Sequence, residues 1–135
     1  MSAIGSGYDL SAGTYSRDGR VYQVEYAFKA VENSGTAIGA RCKDGVVLAV
    51  EKVVASKLLE PSSNKLITPI EMHLGVATTG LAADARKLAR RGRKEAREYR
   101  QFYGSPAPPD VVAQKLAAVV HNYTVVSSMR PWGAS

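Results

Sequence analysis

The stretch Tyr15-Ser-Arg-Asp-Gly-Arg-Val-Tyr-Gln-Val-Glu-Tyr-Ala27, continuing through Phe28 to Asn33, decides how the rest of the chain is read. Asp18 is placed to cap a helix by accepting from the free amides of its first turn, and Val21, Val24, Phe28 and Val31 recur at the spacing of one helical face. Asn33-Ser34-Gly35 stops the pattern. The expectation is an amphipathic helix over residues 19–33, following a tail over residues 1–18. Arg20, Glu25, Lys29 and Glu32 fall largely off its apolar stripe. A helix this short is not stable alone, so the stripe must dock on something.

Downstream, Thr36–Cys42 and Val46–Lys52 flank Lys43-Asp44-Gly45, a tight-turn signal that predicts a β-hairpin. Both arms are apolar with few alternating charges, which predicts a sheet covered on both faces. A loop through Glu60-Pro61-Ser62-Ser63-Asn64 leads to strands near Leu66–Ile70 and His73–Thr79, closed by Gly80. Leu81–Tyr103 reads as one long helix weakened at Gly92, a residue costing about 1 kcal/mol relative to alanine inside a helix. Gly104 and the prolines 106, 108 and 109 end it. A further helix opens at Asp110, carries Val112, Leu116, Val119, Val120 and Tyr123 on one stripe, and runs to about Ser128. Arg130-Pro131-Trp132-Gly133 then breaks helical periodicity. Elements in blocks rather than in alternating βαβ units predict an α+β layered fold. With too few helices to cover a two-faced sheet, a stable monomer is not expected.

At 135 residues and 45% hydrophobic content the chain fits one domain, residues 1–135, with a sizeable core. Its one cysteine, Cys42, precludes an internal disulfide, suits a reducing compartment and reads as a small strand hydrophobe. No apolar run approaches the roughly 18 residues that span a bilayer, and the start has no basic region followed by an apolar one, so a soluble, unexported protein is expected. The net charge of +6 is concentrated between Arg86 and Arg100, where eight cations face only Glu95 and Glu98. Either this is a solvated helix face with Arg91–Glu95 and Lys94–Glu98 pairs, or it is a basic nucleic-acid-binding module. Stacking aromatics are limited to Tyr99, Phe102 and Tyr103, and no recognition-helix motif surrounds the run.

Signals for small-molecule chemistry are weak. Gly5-Ser6-Gly7 lacks the third glycine of a dinucleotide loop, and no Gly-Lys-Ser/Thr phosphate loop occurs. His73 and His121 lie far apart without companion ligands, so both read as structural, and neither metal nor cofactor is expected.

Gly19-Arg20, Gln23 and Glu25-Tyr26-Ala27, together with Gly7-Tyr8-Asp9-Leu10-Ser11, Lys43-Asp44-Gly45, Gly80-Leu81-Ala82-Ala83-Asp84-Ala85-Arg86 and Arg130-Pro131-Trp132-Gly133, resemble the motifs of α-type subunits of the proteasome core particle, in the same order. Ile4–Ser11 and Lys29–Asn33 narrow the resemblance to one eukaryotic subtype. It implies a four-layer αββα sandwich of the N-terminal nucleophile hydrolase type, of which residues 34–135 would supply about the first half. Residues 1–18 would be the gate tail and residues 19–33 the helix that meets neighbours in a seven-membered ring. Arg17 stands where most of the family has proline, Leu10 where arginine is common, Gly13 where serine or threonine is usual, and Arg91 where relatives are apolar.

The same resemblance bears on activity. Catalytic relatives use a free amino-terminal threonine whose own amine is the base. Here the corresponding position is Gly35, next to Thr36, and neither is a terminus. Glu51 and Lys65 fall near the supporting acid and base, but no catalytic residue is expected. Tyr8, Asp9 and Tyr26 are the implied gate cluster, and Lys65 with Gly80 the implied pocket for the carboxyl-terminal tails of activator particles. Implied partners are other α and β subunits and those activators, with no membrane or nucleic acid, in cytoplasm and nucleus.

Overall fold

The structure, a computed structural model, describes residues 7–60 and 62–135. Ile4, Gly5 and Ser6 of the opening motif and Pro61 of the second loop lie outside the described residues. The elements are α1 (Tyr22–Glu32), β1 (Ala37–Arg41), β2 (Val46–Val50), β3 (Ile67–Glu71), β4 (Leu74–Ala77), α2 (Ala82–Tyr103) and α3 (Pro109–Val125), an α+β order in the expected blocks.

α1 begins later than its motif predicts, and Asp18 does not cap it. Val21 occupies the N-cap with no side-chain bond to the helix. The chain first turns at Gly19, whose φ of +74° suits glycine. Ser16 closes that turn: its carbonyl accepts from Gly19 N at 3.0 Å, its amide donates to Arg20 O at 2.9 Å, and its hydroxyl accepts from Arg20 N at 3.0 Å. Asp18 is spent in the turn, short of the first helical amides. The negative charge favoured at a helix start comes instead from Glu25, held by Arg20 Nε at 2.7 Å.

Two antiparallel hairpins follow, β1–β2 and β3–β4, each a two-stranded sheet. Ala37 pairs with Val50 and Arg41 with Val46, so Cys42 falls in the turn, where its amide donates to Gly45 O at 2.8 Å. Cys42 is therefore an exposed turn residue rather than a strand hydrophobe. The hairpins meet at Leu48: a Cβ placed on Gly39 would lie 3.6 Å from one of its methyls, and one on Gly75 would lie 3.4 Å from the other. The expected cover on both sheet faces is not met among the described residues. Ile38, Val46 and Val47 remain 59%, 66% and 58% exposed, because the helix layer rests on the other hairpin, with α2 packed against β3.

The buried face of α2 is built from small residues, Ala85, Ala89, Gly92 and Ala96. Gly92 does not interrupt the helix. A Cβ there would stand 2.6 Å from Ile70 Cδ1, so the glycine is what lets α2 approach β3. Gly104, with φ +70°, ends α2 in a left-handed cap. α3 starts on Pro109, where a missing N–H costs nothing, and ends at Val125 because Val126 is extended. Ala96, Ala107 and Val112 form the core cluster, with Ile70, Leu74, Tyr99 and Leu116 around it. His73 is structural as expected: its Nε2 lies 2.8 Å from Ala107 O, tying the β3–β4 turn to the α2–α3 loop.

Beyond α3 the chain returns to β4. Thr79 and Ser135 exchange backbone bonds of 2.8 and 3.1 Å, Leu81 N donates to Gly133 O at 2.8 Å, and Gly80 bridges Ala134. Among the described residues no helix is long and apolar enough to cross a membrane.

Candidate functional site

Three of the residues singled out from the sequence sit at the junction of tail and first helix. Tyr26 Oη donates to Asp9 Oδ2 at 3.4 Å, and Gln23 Nε2 donates to Asp9 O. Tyr8 precedes Asp9 and is half-buried. Residues one turn apart on α1 thus grip the backbone and the carboxylate of one tail residue. Sequence reasoning quoted Gln23 as part of the motif without giving it this role. Nothing in its spacing announced that an amide side chain would be turned back on the tail.

Further along, the tail is anchored a second way. Ala12 is buried, and a Cβ on Gly13 would lie 2.9 Å from Ser127 Cβ, just past the end of α3. The glycine found where the family usually has serine or threonine matches this close approach. Arg17, found where proline is usual, lies in the turn closed by Ser16.

α1 presents Val24, Phe28 and Val31 to a 200 Å³ cleft whose other wall includes Val120 of α3 and Trp132. No residue of α1 is buried, and Phe28 is 65% exposed. The apolar stripe is thus only half covered by its own chain.

Lys65 lines a separate cleft of 280 Å³ with Ser62, Ser63 and Asn64 on one side and Ala82 and Arg86 of α2 on the other. Gly80 is not in that lining. Its φ of +95° and its close backbone approach serve the terminal segment, where a Cβ would come within 2.3 Å of Gly133 O. Arg86, absent from the expected pocket, is the second cation facing it. Beside Gly35, Thr36 N donates to Glu51 Oε2 at 3.0 Å and Glu51 N returns a bond to Thr36 O at 2.8 Å. Lys65 is in neither contact.

The terminal motif is fixed by Asp84. Arg130 donates to both of its oxygens at 2.8 Å and Gly133 N donates at 2.9 Å. Arg130 first, then the Gly133 amide, pull the Asp84 carboxyl below its ordinary range against the effect of burial, and the same pairing raises Arg130. Arg91 and Lys115 both reach the buried Glu95, at 2.6 and 3.3 Å, while Arg91 Nε is a buried donor without an acceptor.

Comparisons with known proteins place the chain in a family. Residues 8–30 match the family model for the N-terminal signature of proteasome subunits of the A type, and residues 31–135 match that of the proteasome subunit. The chain belongs to the proteasome subunit family, in its α-type branch. It is similar to the alpha type-3 proteasome subunit of Acanthamoeba castellanii, at 54% identity over 98% of this chain and 53% of that protein. The alpha type-3 proteasome subunit of Dictyostelium discoideum is 52% identical over 100% of this chain and 54% of its own length, and that of Arabidopsis thaliana 50% identical over 98% and 53%. The chain spans about half the length of the curated relatives it matches.

Proposed function

We propose that this chain serves as a non-catalytic structural and gating component of the α ring of the proteasome core, acting in ubiquitin-dependent and independent protein degradation in cytoplasm and nucleus. The observation that carries the reading is the grip of Tyr26 and Gln23 on Asp9, which fixes the tail relative to the ring-facing helix. The half-covered stripe of Val24, Phe28 and Val31 supports assembly with neighbouring α and β subunits. The absence of hydrolytic chemistry of its own is supported by Gly35, which offers no side-chain nucleophile at the position corresponding to the catalytic threonine of active relatives.

Activator particles are the remaining partners in this reading. Their terminal carboxylates suit the Lys65 cleft, where the ammonium of Lys65 and the guanidinium of Arg86 face one volume. The deciding experiment is native mass spectrometry of the assembly recovered through a tag on this chain. A barrel containing other proteasome subunits is expected, and recovery of the chain free of them contradicts the proposal. In such a barrel, Lys65→Ala is expected to weaken activator docking and leave ring assembly intact.

A further inference from the structure

A third concave surface, distinct from the α1 cleft and the Lys65 cleft, lies between α2 and α3. It is a groove of 560 Å³. Lys87, Arg90, Arg91 and Lys94 supply one wall, at the i, i+3, i+4, i+7 spacing that aligns side chains on one helix face. Among the described residues no carboxylate lines the groove, although Glu95 pairs with Arg91 and Glu98 with Lys94 from outside it. The Arg90 side chain has no hydrogen bond or ion pair among the described residues. Lys87 forms no salt bridge there either, although, behind Arg130 and the Gly133 amide, its charge helps lower the Asp84 carboxyl. It is held instead over the rings of Tyr123 and Trp132, 4.9 and 5.3 Å from their centroids, and donates to Tyr123 Oη at 3.2 Å. Those two rings meet edge to face at 5.1 Å and form the opposite wall. Four of the eight cations of α2 thus line one concavity, and one of them is pre-positioned by aromatic contact.

We propose that this groove binds a small, multiply charged phosphate compound. Several converging cations suit clustered phosphates better than a single carboxylate, and arginine offers forked donors to phosphate oxygens. The cationic wall extends about 10 Å along the helix axis. That is far short of the roughly 34 Å of one duplex turn, so the footprint is that of a small molecule rather than of nucleic acid.

Trp132 is the only tryptophan of the chain and lines the groove, so its fluorescence reports occupancy directly. The experiment titrates the full 135-residue chain with inorganic tripolyphosphate at 0.15 M salt, where diffuse attraction is largely screened. A saturable change at one equivalent is expected. Arg90→Gln, which removes no hydrogen bond or ion pair among the described residues, should weaken binding at least about tenfold with unchanged circular dichroism. Lys87→Gln should add to that loss, while Arg97→Gln, outside the groove, should leave affinity within about twofold. Absence of saturation, or an equal loss from Arg97→Gln, overturns the proposal. So does tighter binding of a DNA duplex or of an acidic peptide than of tripolyphosphate.

Discussion

Arg130 and Asp84 form a two-pronged ion pair, both bonds 2.8 Å, across 46 residues of chain, and Asp84 is buried while the Arg130 side chain is 59% exposed. The pair fastens the terminal motif to the first turn of α2. Replacing Asp84 by asparagine strands the Arg130 guanidinium and weakens the bond from Gly133. The expected loss is about 2 kcal/mol, below that of a fully buried pair because Arg130 meets water. The sign with pH follows from the lowered carboxyl of Asp84. Its contribution is complete above the unfolded value of about 3.9 and disappears as pH falls through the lower folded value. Thermal melts between neutrality and acid should show the parent losing stability below about pH 4 by more than Asp84→Asn does. Parallel curves would remove Asp84 from the account.

Gly80 carries a stricter demand. Its φ is +95°, and any Cβ would meet backbone atoms, Gly133 O at 2.3 Å and Ala134 Cα at 2.8 Å. Backbone cannot rotate away as a side chain can, so Gly80→Ala should cost about 3 kcal/mol and release the pairing of Thr79 with Ser135. Amide hydrogen exchange reads this directly: protection at Thr79, Leu81 and Ser135 should fall in the variant. Retained protection would show that the terminal segment docks without this approach.

Gly92 faces a softer neighbour, since the nearest atom to its missing Cβ is Ile70 Cδ1, the end of a flexible side chain. Gly92→Ala gains about 1 kcal/mol of helix propensity and loses a similar amount to crowding, so little net change is expected. Gly92→Val should lose about 2 kcal/mol. The informative variant is Gly92→Ala combined with Ile70→Val, which deletes the crowded methyl. Its stability should exceed the sum of the single changes by at least about 0.5 kcal/mol. Additivity in denaturant unfolding would mean that α2 and β3 do not touch there.

Order and type of elements were legible because each carries a local signal: Lys43-Asp44-Gly45 for the hairpin, Gly104 and the prolines for the α2–α3 break, and Pro109 for the start of α3. What escaped was set by distant contacts. Asp18 read as a cap because capping is a local pattern, but it lies within the turn that Ser16 closes with Gly19 and Arg20, short of the helix. Gly92 read as a weak point because propensity ignores Ile70. Asp9 and Tyr26 were named from a family motif, and their contact joins residues 17 positions apart that no periodicity links. Arg86 was missed beside Lys65 because it belonged, in sequence, to a run of basic residues; only the fold places it on the wall of the cleft.

The tail is tied to the body at two places, and these make separable predictions. Asp9 bonds to Gln23 and Tyr26 of α1, whereas Gly13 approaches Ser127 so closely that a Cβ would lie 2.9 Å from Ser127 Cβ. Tyr26→Phe removes one long hydrogen bond at the surface and should cost under about 1 kcal/mol in global stability. Under the gating role proposed above its effect belongs to the tail: in an assembled particle the gate should open more readily, raising basal hydrolysis of small peptides without activator. Gly13→Thr adds bulk against Ser127 and should displace the middle of the tail while the Asp9 contact persists. If both anchors hold the tail, the two changes together should raise basal hydrolysis by more than either alone, and limited proteolysis should cut the tail fastest in the double variant. A particle whose basal rate ignores both substitutions would place gating in other subunits of the ring and leave these contacts a purely structural role.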